Sequence, residues 1–200
     1  MEHITIKKGT EKERKFLHAN LFGLDKITNE ELKESVVTAW TTAIGNSTYS
    51  SIEEIPYSLH APSYNLLDHV NEVTKLGLIL SEFTLNFWKP ELNLQELILI
   101  LILHDVDKPL LSTGPKATLS KSELSRNIPH GVLGSYILQE MKFPERVVFA
   151  VGTHAANSPL HGNSMESLIL HYADFFSADH AIIKEGGEAF FQKGPTGDRR

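Results

Sequence analysis

The chain has 200 residues, a mass of 22.4 kDa, 41% hydrophobic residues and a formal charge of -6 at neutral pH. That length fits one domain with a sizeable core, and the acidic balance speaks against a broad nucleic-acid-binding face. Cysteine is absent, which excludes disulfides, thiol nucleophiles and zinc–thiolate sites, so any metal must be held by nitrogen and oxygen.

The opening MEHITIKKGTEKERKF lacks a signal-like apolar core. The longest apolar run, Leu97 to Leu103, is far short of the ~20 residues of a membrane helix. No membrane association is expected, and cytoplasmic residence is the default. TNEELKESVVTAWTTAI, Thr28 to Ile44, predicts a helix capped by Thr28, with Glu31 three residues on and a stripe of Val36, Val37, Trp40 and Ile44. GNSTYSSIEEIPYS is a turn-rich link in which Pro56 ends a short helical SIEEI. SYNLLDHVNEVTKLGLILSEFT, from Ser63, reads as a helix burying Leu66, Val70, Val73 and Leu80, with Leu67 and Leu76 beside them; Gly77 weakens its propensity.

Leu92 to Val106 predicts a further helix, stopped by Pro109. Its Leu–Ile alternation is also strand-like, but its length and the early Gln95 and Glu96 favour helix. Leu111 to Asn127 is polar and reads as a loop at the rim of a site. HGVLGSYILQEM is helical, packing Val132, Leu133, Tyr136, Ile137 and Met141. PERVVFAVGTHA starts a helix at Pro144, and MESLILHYADFFSADHAII forms another. The expected fold is all-α, a single-domain helical bundle with at least five core helices. An N-terminal helical extension over 1–55 packs on a domain over 56–185, followed by a flexible tail over 186–200.

Ten histidines are a mild excess, and their placement matters more than their number. His69 lies inside one helix, His104 and Asp105 end the next, His130 starts another, His154 ends its successor, and Asp174 lies inside the last. Buried imidazoles and carboxylates each need a partner to offset desolvation. Convergence of these groups would make a nitrogen and oxygen site suited to iron, manganese, zinc or another divalent ion.

LLDHVNEV, LILHDVDKP and HYADFFSADH resemble the HD-domain superfamily of metal-dependent phosphohydrolases, whose pattern is a His, a His-Asp doublet at a helix end and a distant Asp on a helical core. His130 in IPHGVLGSYIL and His154 in VGTHAANSP match the histidines that the two-metal branch adds. YADFFSADH looks, more loosely, like the small bacterial dinucleoside tetraphosphate hydrolases of the superfamily. The resemblance covers about Ser63 to Ala181. It implies that His69, His104, Asp105 and Asp174 hold one metal, and that His130 and His154 hold a second with Asp105 bridging.

There are departures. Asp107 stands where relatives often carry Gly, although Lys108 is retained; the Gly-Tyr-Pro motif of cyclic-dinucleotide phosphodiesterases is missing. Cyclic-dinucleotide cleavage and stringent-response nucleotide metabolism are therefore disfavoured. Lys108 follows His104 at i+4, so a continuing helix would put both on one side, where the ammonium could hold a phosphate oxygen. Lys116, Lys121 and Arg126 make the polar stretch locally basic, and Arg126 is the best placed of them, four residues before His130. His161 is a candidate proton donor; His60 and Asp107 carry no firmer assignment.

The expected function is metal-dependent phosphohydrolysis of a nucleotide or other small phosphorylated metabolite, with Asp105, Lys108 and Arg126 at the chemistry. The cofactor would be one or two divalent ions among Fe, Mn, Zn, Ni, Co and Mg. The alternatives are an HD-type di-iron oxygenase, since the same ligands suit redox-active iron, and a non-catalytic, metal-stabilised nucleotide-binding module. A nucleic-acid partner is not expected; a homodimer is compatible with the sequence.

Overall fold

Thr10 opens the first helix of the computed structural model, which describes residues 4–193. Its hydroxyl accepts from Glu13 N while Glu13 accepts from Thr10 N, a capping box that starts α1 (Glu11–Asn20). Helix α2 (Glu30–Gly45) is capped by Asn29, whose side chain accepts from Leu32 N, and not by Thr28. Asn caps at least as well as Thr, and Thr28 is used elsewhere, bonding Gln95 Oε1 through its N–H and hydroxyl.

The helix expected from Ser63 starts three residues later. Strands β1 (Pro56–Ser58) and β2 (Ala61–Asn65) pair antiparallel, and α3 (Leu66–Phe87) follows with Asn65 as its cap. Pro62 favours extended backbone before it, and the Asn65 side chain takes the Leu67 N–H. Helix α4 (Leu94–Leu103), capped by Asn93, has every residue from Leu97 to Leu103 buried.

Pro109 does not end that helix. The chain turns at 104–107 and restarts as α5 (Lys108–Leu111), with Pro109 in its first turn, where a missing N–H costs nothing. The polar stretch then forms a second ribbon, β3 (Ser112–Thr113) with β4 (Ser120–Lys121), and a short α6 (Glu123–Asn127). Helices α7 (Val132–Glu140), α8 (Glu145–Thr153) and α9 (Met165–Lys184) complete the bundle, followed by a 3-10 turn at Phe190–Lys193. Of the flexible tail expected over 186–200, residues 186–193 are described and include that turn, while 194–200 lie outside the described residues. Tyr136, expected in the core, is half exposed because it falls beside the face made by Leu133, Ile137 and Leu138. The fold is all-α, with two small two-stranded ribbons among the described residues.

Helix α4 is the centre, packing against α2, α3, α8 and α9. Leu17, Val36, Val37 and Trp40 of the first two helices join the same core as the α4 residues. Burying seven large aliphatic side chains contributes on the order of 10–20 kcal/mol gross, enough to carry costly polar groups at the helix end. Among the described residues no helix is long and apolar enough to cross a membrane.

Gly77 shows how tightly the centre is set. A Cβ there would lie 2.5 Å from Leu101 Cδ2 and 2.6 Å from Cδ1, so glycine lets α3 approach α4. Gly77→Ala should gain about 1 kcal/mol of helix propensity and lose about 1–3 kcal/mol to overpacking. A net loss of stability is expected, checked by urea unfolding, and Leu101→Ala in the same chain should recover part of the packing penalty.

Candidate metal centre

His104 continues the helical backbone of α4 by one residue, which sets its side chain and that of Asp105 at the buried end of the bundle. His69 comes from the first turn of α3, and Asp174 from the middle of α9, the helix packed along it. His130 precedes α7 and His154 follows α8, two helices packed on each other. All six side chains meet.

Asp105 is shared. Its Oδ2 lies 3.2 Å from His69 Nε2 and 3.4 Å from His104 Nε2; its Oδ1 lies 3.0 Å from His130 Nε2 and 3.6 Å from His154 Nε2. Asp174 Oδ1 closes the first group, 3.2 Å from His69 Nε2 and 4.0 Å from His104 Nε2. The sets His69–His104–Asp105 and Asp105–His130–His154 are thus two compact ligand groups joined by one carboxylate.

Ring orientation follows from what each Nδ1 touches. His104 Nδ1 lies 2.8 Å from Leu101 O and His154 Nδ1 lies 2.7 Å from Val151 O. A carbonyl only accepts, so both nitrogens donate. His130 Nδ1 donates to Asp107 Oδ1 at 2.9 Å. The Ser177 hydroxyl donates to Glu72 Oε2, which leaves its oxygen to accept from His69 Nδ1 at 3.0 Å. In the neutral tautomer so fixed, all four Nε2 lone pairs face carboxylate oxygens, and His69 and His104 Nε2 stand only 3.2 Å apart. Lone pairs in that arrangement repel unless a proton or a metal ion lies among them. Asp105 Oδ2 and His154 Nε2, both buried, have no hydrogen-bond partner among the described residues. The donor set therefore fits divalent metal, and four imidazoles favour iron, manganese, zinc, cobalt or nickel over magnesium.

Electrostatics agree. Burial opposes the charge on Asp105, but Lys108 and His104 outweigh it and hold the carboxyl well below its usual range. Burial likewise opposes ionised Asp174, and His69 holds it low. Desolvation disfavours a charged His130, yet Asp107 and Asp105 push its pKa up to about 10.

Asp107 is the residue whose part the sequence leaves open. It is fully buried and takes three donors: His130 Nδ1, Gly131 N at 2.8 Å and Gly134 N at 3.2 Å. It aims the His130 ring and anchors the start of α7. Lys108 stands beside the centre even though the helix breaks before it, with Nζ 3.4 Å from Asp105 Oδ2, 3.2 Å from Tyr57 O and 3.8 Å from the Tyr57 ring centroid. Lys108, His60, Asn157, Asp105 and Asp174 border a cavity of about 260 Å³ that opens on the centre. Arg126 is exposed on α6 and does not line it. Lys116 and Lys121 are exposed as well. His161 lines a different cavity, together with His154 and His171.

These features define a histidine–aspartate cluster able to hold metal in a helical bundle, and known proteins give it a family. The HD domain model matches residues 66–179, and the chain belongs to that family. Over 159 residues, 75% of this chain, it is 28% identical to the dihydroneopterin 2',3'-cyclic phosphate phosphodiesterase of Methanocaldococcus jannaschii, of which the match spans 64%. No solved structure gave a significant match.

Two outcomes test the centre. Because the folded pKa of His130 lies above the ordinary imidazole value of 6.5, its pairing stabilises the metal-free fold fully below about pH 6.5 and is lost as pH rises through about 10. A metal taking His130 Nε2 must displace that proton, so chelator competition at pH 6, 7 and 8 should show affinity rising by about tenfold per unit. Asp107→Asn presents an N–H to one of three donors. It should weaken metal at the His130 and His154 pair by about 10–100-fold and destabilise the protein by about 1–3 kcal/mol, read by metal analysis and urea unfolding.

Proposed function

We propose that this chain is a metal-dependent phosphohydrolase acting on a small phosphorylated metabolite, and that its substrate is a phosphodiester of a nucleoside-like molecule. The observation that carries the reading is the Asp105 carboxylate, with one oxygen facing the His69 and His104 nitrogens and the other facing those of His130 and His154. A carboxylate so placed could be shared by two cations, and two cations would suit displacement at phosphorus. Membership of the HD domain family supports the hydrolytic class, and the phosphodiesterase relative supports a diester.

On this reading His69, His104, Asp105 and Asp174 hold one ion, and His130, His154 and Asp105 hold the other. Divalent ions there would supply Lewis acidity, acidifying water and neutralising phosphoryl charge. The chain does the rest. Buried helix ends keep the ligand nitrogens fixed, so little reorganisation is needed when substrate arrives. Lys108, already desolvated against Tyr57, offers a cation at the cavity wall for a phosphate oxygen. The exposed His60 at the β1–β2 turn and Asn157 after α8 add polar groups at the rim. Arg126 serves as a guide for anions from the surface, not as a group at the reacting atoms.

The direct test is phosphorus NMR on protein loaded with iron, manganese or zinc, using 2',3'-cyclic nucleotides, phosphomonoesters and dinucleoside tetraphosphates. Metal-dependent opening of a cyclic diester is the expected result. Oxygen uptake by iron-loaded protein with no hydrolysis would instead identify an oxygenase. Two variants sharpen the reading. Asp105→Ala should abolish turnover and largely remove the rise in melting temperature that metal gives the wild type. Lys108→Ala should keep its metal and lose kcat/KM by about 10–100-fold, the worth of a charge-assisted hydrogen bond of about 1.5–3 kcal/mol. Unchanged turnover in Lys108→Ala would leave that lysine a structural role only.

A further inference from the structure

Beside the metal cavity, α9 exposes an unusual amount of aromatic surface. Asp174, a residue of the centre, is followed by Phe175 and Phe176, and Tyr172 lies one short turn before them. Phe176 is 71% exposed, Tyr172 62% and Phe191 70%. The 3-10 turn Phe190–Lys193 is laid along this face of α9, and between them lies a second cavity of about 620 Å³. That volume is within the usual range for a small-molecule site.

The turn is fastened. The Asp179 carboxylate accepts from Phe190 N at 2.5 Å and from Phe191 N at 3.3 Å, and Gln192 Oε1 accepts from Ala189 N at 2.8 Å. The rings of Phe175 and Phe190, centroids 5.0 Å apart, line both this cavity and the smaller one that holds Asp105, Lys108 and Asp174. A ligand whose phosphate reaches the metal cavity therefore meets aromatic carbon next, and beyond it the open faces of Phe176, Tyr172 and Phe191. A contiguous apolar patch left exposed beside a cavity marks a ligand groove or a partner surface. Stacking on aromatic faces suits a planar ring above all, because every heteroaromatic base has a π face to offer.

We propose that this groove is the subsite for the planar heteroaromatic ring of the substrate, with Phe175 and Phe190 as its threshold and Phe176, Tyr172 and Phe191 as its stacking surface. It rests on the phosphodiesterase reading above and deepens it: the substrate class is a phosphate diester carrying a purine-like or similarly fused ring. A second copy of the chain is the competing occupant. The shared walls favour the substrate, since a partner seated on Phe175 and Phe190 would also close off the metal cavity.

The experiment uses full-length, metal-loaded protein and the variants Phe176→Ala and Phe191→Ala, whose side chains are exposed enough to remove without opening the core. The ratio of kcat/KM for 2',3'-cyclic AMP to that for glycerol 1,2-cyclic phosphate, which has no ring, should fall by about tenfold or more in each variant, the stacking contribution expected for one base. An unchanged ratio overturns the subsite. A second measurement stands apart from catalysis: saturation-transfer NMR with adenosine, which has ring and sugar but no phosphate. Transfer to the purine protons in the wild type, lost in both variants, supports the subsite even if no ester is hydrolysed and the phosphodiesterase reading fails. No transfer in the wild type overturns it, as does a wild-type dimer that these substitutions convert to monomer.

Discussion

One buried carboxylate sets the terms for the rest of the molecule. Asp105 sits at the end of the most apolar helix in the chain, where ionisation is costly, and stays charged because Lys108 and four imidazoles surround it. An isolated carboxylate there would take up a proton or unfold the site. The fold answers by bringing α3, α7, α8 and α9 to the end of α4, each delivering one group at a helix end or on a buried face. The packing of α4 tolerates this expense because its own burial is so extensive.

The four clustered histidines share a second economy. His104 and His154 both follow the last residues of a helix and both return Nδ1 to a carbonyl three residues back. A carbonyl near a helix C-terminus lacks its usual amide partner, so the imidazole satisfies the helix end and is itself oriented. Asp107 does the corresponding work for His130 and Ser177 for His69. These outer contacts turn four flexible side chains into a fixed set of acceptors.

Much of this was legible in the sequence. The helical stripes gave α2, α3, α4 and α9, and the spacing of His69, His104, Asp105, His130, His154 and Asp174 picked out side chains that the structure brings together. Other features depend on three-dimensional context. Helix α1 has a readable Thr10–Glu13 capping box, but its weakly apolar pattern hides it. Pro109 looks like a stop and is a start, because the turn that frees its neighbour lies between two elements. Asp107 reads as an odd substitution until His130 is seen against it, 23 residues away in sequence. Arg126 shows the converse: proximity in sequence to His130 put it near the chemistry, and the turn of α6 leaves it on the surface.

The grip of Asp107 on His130, Gly131 and Gly134 has a consequence for how such a protein can diversify. It staples the two ends of the polar excursion carrying β3, β4 and α6, so the excursion leaves and re-enters the fold at one closed neck. Whatever lies beyond that neck can lengthen, shorten or change character without dragging the ligands with it, since closing a longer flexible loop costs only about 0.6 kcal/mol per doubling. The histidine–aspartate cluster and the excursion are therefore mechanically separable: one is held by packing, while the other is open territory in which a different rim can be built over an unchanged core.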